Sequence, residues 1–153
     1  MITEDYVSFE VAKLLKEKGF DGYCFAAYSY EIGDFITVGP IKNSDINTEE
    51  NNRYMCTCPT LQMAMKWLRD EKNIHIKVHC SGNRNYLVYV QSLVTAFHDF
   101  CIESATCSFN SYEEAVEAAL KYCLEKLIDK INFDKRVDAY YASKTGYDNY
   151  TGD

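Results

Sequence analysis

The sequence predicts an α+β fold: an antiparallel sheet with helices packed mainly on one face, in the order α-β-β-(β)-α-β-β-β-α, followed by a C-terminal tail. Three observations lead there. Apolar residues keep a helical period from Pro59 to Lys72 and then switch to a period of two from Ile74 to Leu93. Ser111-Tyr112-Glu113-Glu114 has the pattern of a capping box and opens a second long helical stretch. Between Tyr23 and Val38 two apolar runs flank Gly33, which reads as a hairpin.

In chain order, Ser8 is placed to cap a first helix with Val11, Leu14 and Leu15 on its apolar face. Gly19 stops it, and Phe20 falls where a Schellman ending packs a residue back on the last turn. The Tyr23 to Val38 hairpin follows. Lys42 to Asn52, rich in Asn, Asp and Glu, reads as a polar loop with little to bury, and Arg53 to Thr57 as a short strand.

Pro59 to Lys72 is the central helix: Leu61, Ala64, Met65 and Leu68 share one face, Trp67 flanks it, and Asn73 suits a left-handed stop. The next strand alternates Ile74, Ile76, Val78 and Cys80 with His75, Lys77 and His79. Ser81-Gly82-Asn83-Arg84 has the residues of a two-residue type II′ turn, which sets Val78 opposite Leu87 and His79 opposite Tyr86. On that register Ile74, Ile76, Val78, Leu87 and Tyr89 face the core. His75, Lys77, His79, Tyr86, Val88 and Val90 form a second face, too apolar for plain solvent and therefore the candidate association surface. A slip of one residue would exchange the partners.

Thr95 to Ser104 reads as a third strand. The last helix spans about 111 to 130, with Val116, Ala119, Leu120, Cys123, Leu124 and Leu127 at helical spacing. The chain thus divides into a single domain over 1–131 and a Tyr-rich tail over 132–153. The tail has no clear period and is expected to dock on its own domain or on a neighbour.

Composition narrows the function. A chain of 153 residues buries roughly 70% of its unfolded surface in one core. The net charge of −7 opposes the phosphate backbone, so duplex nucleic acid is not an expected partner. No apolar run approaches the ~18 residues of a membrane span. Seven cysteines at irregular spacings, after an acidic start, read as free thiols.

Zinc on Cys56, Cys58, His75 and His79 fits no ligand spacing, because the two histidines would stand ~13 Å apart along a strand at ~3.3 Å per residue. His79 and Cys80 point to opposite sheet faces and cannot act as a nucleophile pair, which leaves His98 with Cys101. Glu113 and Glu117 read as a solvated helix face. No catalytic residue, cofactor or metal is assigned. The order of elements from 59 to 128 is that of a double-stranded RNA-binding domain, but three glutamates open the helix that would meet phosphate.

Three blocks are familiar together: Ser8-Phe9-Glu10-Val11-Ala12-Lys13-Leu14-Leu15-Lys16-Glu17-Lys18-Gly19-Phe20, the Pro59 to Glu71 helix followed by Ile74-His75-Ile76, and Ser111 to Ile128. In that order, over about half the chain, they resemble small uncharacterised proteins carried by bacteriophages and mobile elements of gut bacteria. The resemblance implies such an origin and a cytoplasmic setting in a bacterial host. It brings no activity and no site residues. The functional expectation is a protein-binding or self-associating accessory module. An enzyme with an unrecognised site and a single-strand nucleic-acid binder using an aromatic sheet face stand as the alternatives.

Overall fold

A computed structural model describes residues 1–30, 33–46, 51–93, 99–101 and 108–145. The elements are α1 (Phe9–Glu17), β1 (Cys24–Ser29), β2 (Phe35–Ile41), α2 (Asn43–Ile46), β3 (Tyr54–Thr57), α3 (Leu61–Lys72), β4 (Ile74–Cys80), β5 (Tyr86–Ser92), β6 (Asp99–Cys101), α4 (Tyr112–Tyr122), a π-helical turn (Cys123–Leu127) and α5 (Ile128–Thr145). The fold is α+β and all strand pairs are antiparallel. Two three-stranded sheets, in the orders β2-β1-β3 and β4-β5-β6, replace the one sheet expected.

Local chemistry sets the helix ends. Ser8 Oγ accepts from the Val11 amide at 3.2 Å. At the other end of α1, Gly19 takes φ 94°, the Phe20 amide reaches the Leu15 carbonyl at 2.9 Å and the Gly19 amide reaches Lys16 at 3.1 Å, which is a Schellman ending. In α3 the cap is Thr60, whose hydroxyl accepts from Met63 at 3.2 Å, so Pro59 lies just before the helix and not inside it. Asn73 ends α3 with φ 56°.

The polar stretch after Ile41 buries more than its composition indicates. Asn43 and Ile46 are buried on the short helix α2, and the Asn43 side chain links two segments. Its amide donates to the Phe20 carbonyl at 2.8 Å and its oxygen accepts from the Thr57 amide at 2.9 Å. A buried asparagine is stable here because both ends of its side chain are satisfied. Of the third strand expected over 95 to 104, three residues pair with β5; His98 and residues 102–104 lie outside the described residues.

The main core is an apolar cluster shared by both sheets, and a second, smaller one joins Ala27, Ile41, Ile46 and Tyr54. Cys24, Ala26, Tyr28 and Cys56 come from the first sheet, and Ile74, Ile76, Val88 and Val90 from the second. Val11, Leu15, Leu61, Leu68, Leu120 and Leu124 enter from α1, α3, α4 and the π-helical turn. Helices α3 and α4 pack on β4, and α4 also packs on β5. Polar contacts then tie α1 alongside the last helix. The Ser8 amide donates to Glu117 Oε1 at 3.0 Å, Lys121 pairs with Glu10 at 3.0 Å, and Lys18 pairs with Asp129 at 2.9 Å.

The last helix is longer than expected and carries a defect with a physical cause. Its buried residues are Ala115, Val116, Ala119, Leu120, Cys123, Leu124, Leu127 and Ile128, a strict period of four. An α-helix turns about 100° per residue, so each step of four overshoots a full turn by about 40°, and three steps drift by about 120°. The π-helical turn at Cys123–Leu127 absorbs one extra residue and takes back about 100° of that drift. Leu127 and Ile128 thereby return to the core.

Beyond Ile128 the rod continues to Thr145. The boundary expected at residue 131 therefore falls inside a helix, and the described part of the tail is helical. Asn132, Asp134, Lys135, Arg136 and Asp138 on it are exposed, as are Tyr140 and Tyr141.

Candidate functional site

The surface expected to associate is built differently from the sequence reading. The Ser81 amide donates to the Asn85 carbonyl at 2.9 Å and the Asn85 amide to the Gly82 carbonyl at 3.0 Å. The turn is therefore a three-residue loop, with Gly82, Asn83 and Arg84 at φ 96°, 49° and 58°. The register moves by one: Val78 faces Val88, His79 faces Leu87 and Cys80 faces Tyr86. Because side chains alternate, Val88 (3% exposed) and Val90 (0%) drop into the core, and Tyr86 packs against it. His75, Lys77 and His79 remain on the outer face, now with Leu87, Tyr89 and Gln91. The structure brings three of the six expected residues together there and removes the other three.

His75 also borders a cleft of about 400 Å³ lined by Gln62, Met65, Lys66, Arg69, Ile76 and Tyr112. Its cations have a partner already. Lys66 bonds Asp70, Arg69 Nε lies 3.6 Å from the same carboxylate, and the Lys66 hydrogen bond holds the Asp70 carboxyl below its ordinary range. Gln62 donates to the Tyr112 hydroxyl at 3.4 Å across the mouth.

The groups displaced furthest from their ordinary pKa are buried ones. Burial pushes the thiols of Cys24 and Cys56 up to about 11, and those of Cys58 and Cys123 up to about 12. Burial raises Tyr28 as well; its hydroxyl donates to the Val7 carbonyl at 2.7 Å. Thiols held in that range stay protonated at neutral pH and are poor nucleophiles. Cys24, Cys56, Cys58, Cys80 and Cys123 are all free. Cys24, Cys56, Cys58 and Cys123 are buried packing residues, and Cys80 alone of the five is exposed.

The exposed apolar surface lies instead on the first hairpin. Tyr23 (58% exposed), Phe25 (61%), Tyr30 (64%), Phe35 (45%) and Ile36 (39%) account for half of the large apolar side chains standing in solvent among the described residues. The register explains the arrangement. Ala26 faces Thr37, Ala27 faces Ile36 and Tyr28 faces Phe35. Alternation sends Ala26 and Tyr28 to the main core and puts Phe25, Ala27, Ile36 and Val38 on the other face, where Ala27 and Val38 pack with Ile41, Ile46 and Tyr54 while Phe25 and Ile36 stay exposed.

Around the hairpin tip, Tyr6 and Phe35 meet edge-on at 4.9 Å, and Phe9 tilts against Tyr28 at 5.2 Å. Gly33 (φ 67°) is required at this tip, since a Cβ there would lie 3.0 Å from the Phe9 ring. At the other end of the hairpin Lys42 Nζ sits 4.4 Å above the Tyr23 ring.

β2 is an edge strand. Between Thr37 and Ile41 it carries Val38, Gly39 and Pro40 against the single residue Phe25 on β1, a bulge that lifts it from its neighbour. Beside the bulge Val38, Ile41, Asp45, Arg53 and Tyr54 line a depression of about 410 Å³. The sequence signal for this surface is the apolar run from Tyr23 to Tyr28 with no polar alternation. It reads equally well as a strand buried on both faces, and so did not identify the surface.

The chain matches no protein-family model, no curated protein and no solved structure.

Proposed function

We propose that this protein is a small acidic accessory module of a phage or mobile element, acting in the cytoplasm of a bacterial host by binding a protein partner or itself. Duplex nucleic acid and membrane are outside this reading. The observation that supports it is the exposed aromatic surface of the β1–β2 hairpin. Large apolar side chains gathered in solvent on one element mark a place where another surface docks. Aromatic side chains are enriched in such contacts because they bury a large area for few rotatable bonds.

No helix of the described chain is long and apolar enough to cross a membrane, and the net charge of −7 opposes polyanions.

The test compares the immobilised full chain with a Phe25→Ser/Ile36→Ser variant. The side chains changed stand in solvent, so the melting temperature is expected to move by no more than about 3 °C. Retention of any bound protein, the chain itself included, is expected to fall about tenfold or more, as for loss of central interface contacts. Equal retention by both proteins refutes the assignment. Retention that depends on Lys77 and Tyr89 and falls steeply with salt returns the single-strand nucleic-acid reading.

A further inference from the structure

Within the described residues, two of the other strand edges, β3 and β4, show how this protein closes or guards an edge. On β3 the Thr57 amide donates to Asn43 and the Met55 carbonyl accepts from Lys16 Nζ at 2.8 Å, so side chains occupy its outward groups. β4 carries His75, Lys77 and His79, polar side chains of the kind that keep other strands away. On β2, Phe35-Ile36-Thr37-Val38 has no charge, and the first three are exposed.

The direction of its backbone groups follows from one hydrogen bond. The Ser29 amide donates to the Asp34 carbonyl at 2.9 Å, and bonded and non-bonded pairs alternate along an antiparallel ladder. Ala27 and Ile36 therefore exchange bonds, while the amides and carbonyls of Phe35 and Thr37 point away from β1. The flat stretch is short, because the bulge begins at Val38 and Pro40 has no N–H to offer.

We infer that β2 pairs antiparallel with β2 of a second copy, across a twofold axis through Ile36, joining two three-stranded sheets into one. This rests on reading the hairpin as an association surface, and it names the occupant. A second copy fits for three reasons. The edge complements itself, because the twofold sets Phe35 opposite Thr37 and Ile36 opposite Ile36, so outward groups meet outward groups. No like charges meet despite the overall charge, since Asp34 falls opposite Val38. The size suits a weak contact: Phe35, Ile36 and Thr37 are the exposed residues of the flat edge, which keeps the area over two copies below about 1,200 Å², the range of weak association. The dimer is therefore weak and concentration-dependent.

Two measurements test it. Facing residues in a non-bonded antiparallel pair have Cα atoms about 4.5 Å apart, within disulfide reach. In a Cys80→Ser background, Ile36→Cys is expected to yield, on mild oxidation, a disulfide joining the two position-36 residues, found by mass spectrometry of the digest. By sedimentation equilibrium, the wild-type mass is expected to climb from 17.6 kDa toward twice that value. The climb occupies the range from about 10 to 500 µM that suits a small interface. Thr37→Pro removes an outward amide and is expected to move that midpoint about tenfold higher. If that variant fails to fold, Thr37→Lys leaves the backbone intact and sets a charge on the edge for the same result.

A wild type that stays monomeric over the range overturns the inference, as does a dimer indifferent to the Thr37 variants or the lack of a 36-to-36 link. A monomer that still holds another protein through Phe25 and Ile36 removes the second copy alone. Loss of that retention as well removes the association reading too.

Discussion

Deleting Lys126, an exposed residue within the π-helical turn, is expected to leave the stability nearly unchanged, whereas deleting Ala118, eight residues before it, is expected to cost several kcal/mol. The π-turn holds one residue more than an α-turn. Removing that residue converts it to regular helix and leaves Leu127, Ile128 and Asp129 where they already sit, with the Lys18–Asp129 pair kept. Deleting Ala118 instead rotates the stretch up to the π-turn by about 100°, and even if that turn gives up its extra residue to restore Leu127 and Ile128, Leu120 and Leu124, both buried, turn toward solvent at about 1.5–3 kcal/mol each. The sum, about 3–6 kcal/mol, is a large fraction of the whole stability of an ordinary domain, about 5–15 kcal/mol. Thermal unfolding followed by far-ultraviolet circular dichroism reads both variants. The Lys126 deletion is expected within about 1 kcal/mol of wild type, a shift of about 2–4 °C for a chain of this size, and the Ala118 deletion about 10 °C or more below it. Equal damage from the two deletions would show that the π-turn does not compensate the period of four.

Two further outcomes follow from the second hairpin and the thiols. Val88→Asp puts a carboxylate into the core and is expected to cost more than about 4 kcal/mol, against on the order of 1 kcal/mol for Leu87→Asp on the outer face; urea midpoints in the opposite order would restore the two-residue turn. Alkaline pH is expected to destabilise the protein, because unfolded thiols ionise near 9.0 while burial holds the native ones near 11 to 12. The unfolded state then binds fewer protons, so stability is complete below about pH 9 and is lost as pH rises through the native values. Urea midpoints at pH 8 and pH 10 that agree would refute this.

Signals confined to one or two turns of chain were legible. Ser8, Gly19 and Phe20, Asn73 and Ser111 each act within one turn, and the structure places each as the sequence indicates, except that the Glu114 carboxylate expected on the Ser111 amide accepts from the Asn110 amide instead. Two misreadings arose where a local pattern admits a second solution. Ser-Gly-Asn-Arg suits a two-residue turn as well as the observed loop, in which Arg84 takes a left-handed φ that nothing in its own chemistry favours. That one residue exchanged Val88 and Val90 for Leu87 and Tyr89 on the outer face. The stripe from Val116 to Leu127 passes as α-helical because each step of four looks acceptable alone; the drift is visible only in the sum. Asn43 was hidden for another reason: its partners, Phe20 and Thr57, are remote in sequence.

The three polar links between α1 and the last helix span 109 to 111 residues of sequence, from Ser8 to Glu117 and from Lys18 to Asp129. During synthesis, α1 leaves the ribosome long before the helix it docks on exists. At about 5–20 residues per second that interval lasts roughly 6–20 s. Through it Val11 and Leu15 lack the α4 side of their shelter, while the β1–β2 hairpin, whose pairing is local, can already form with Phe25 and Ile36 outward. The nascent chain thus presents its stickiest surface before its framework can close. A chaperone that shields apolar hairpins is expected to matter more for this protein's yield than its modest length implies.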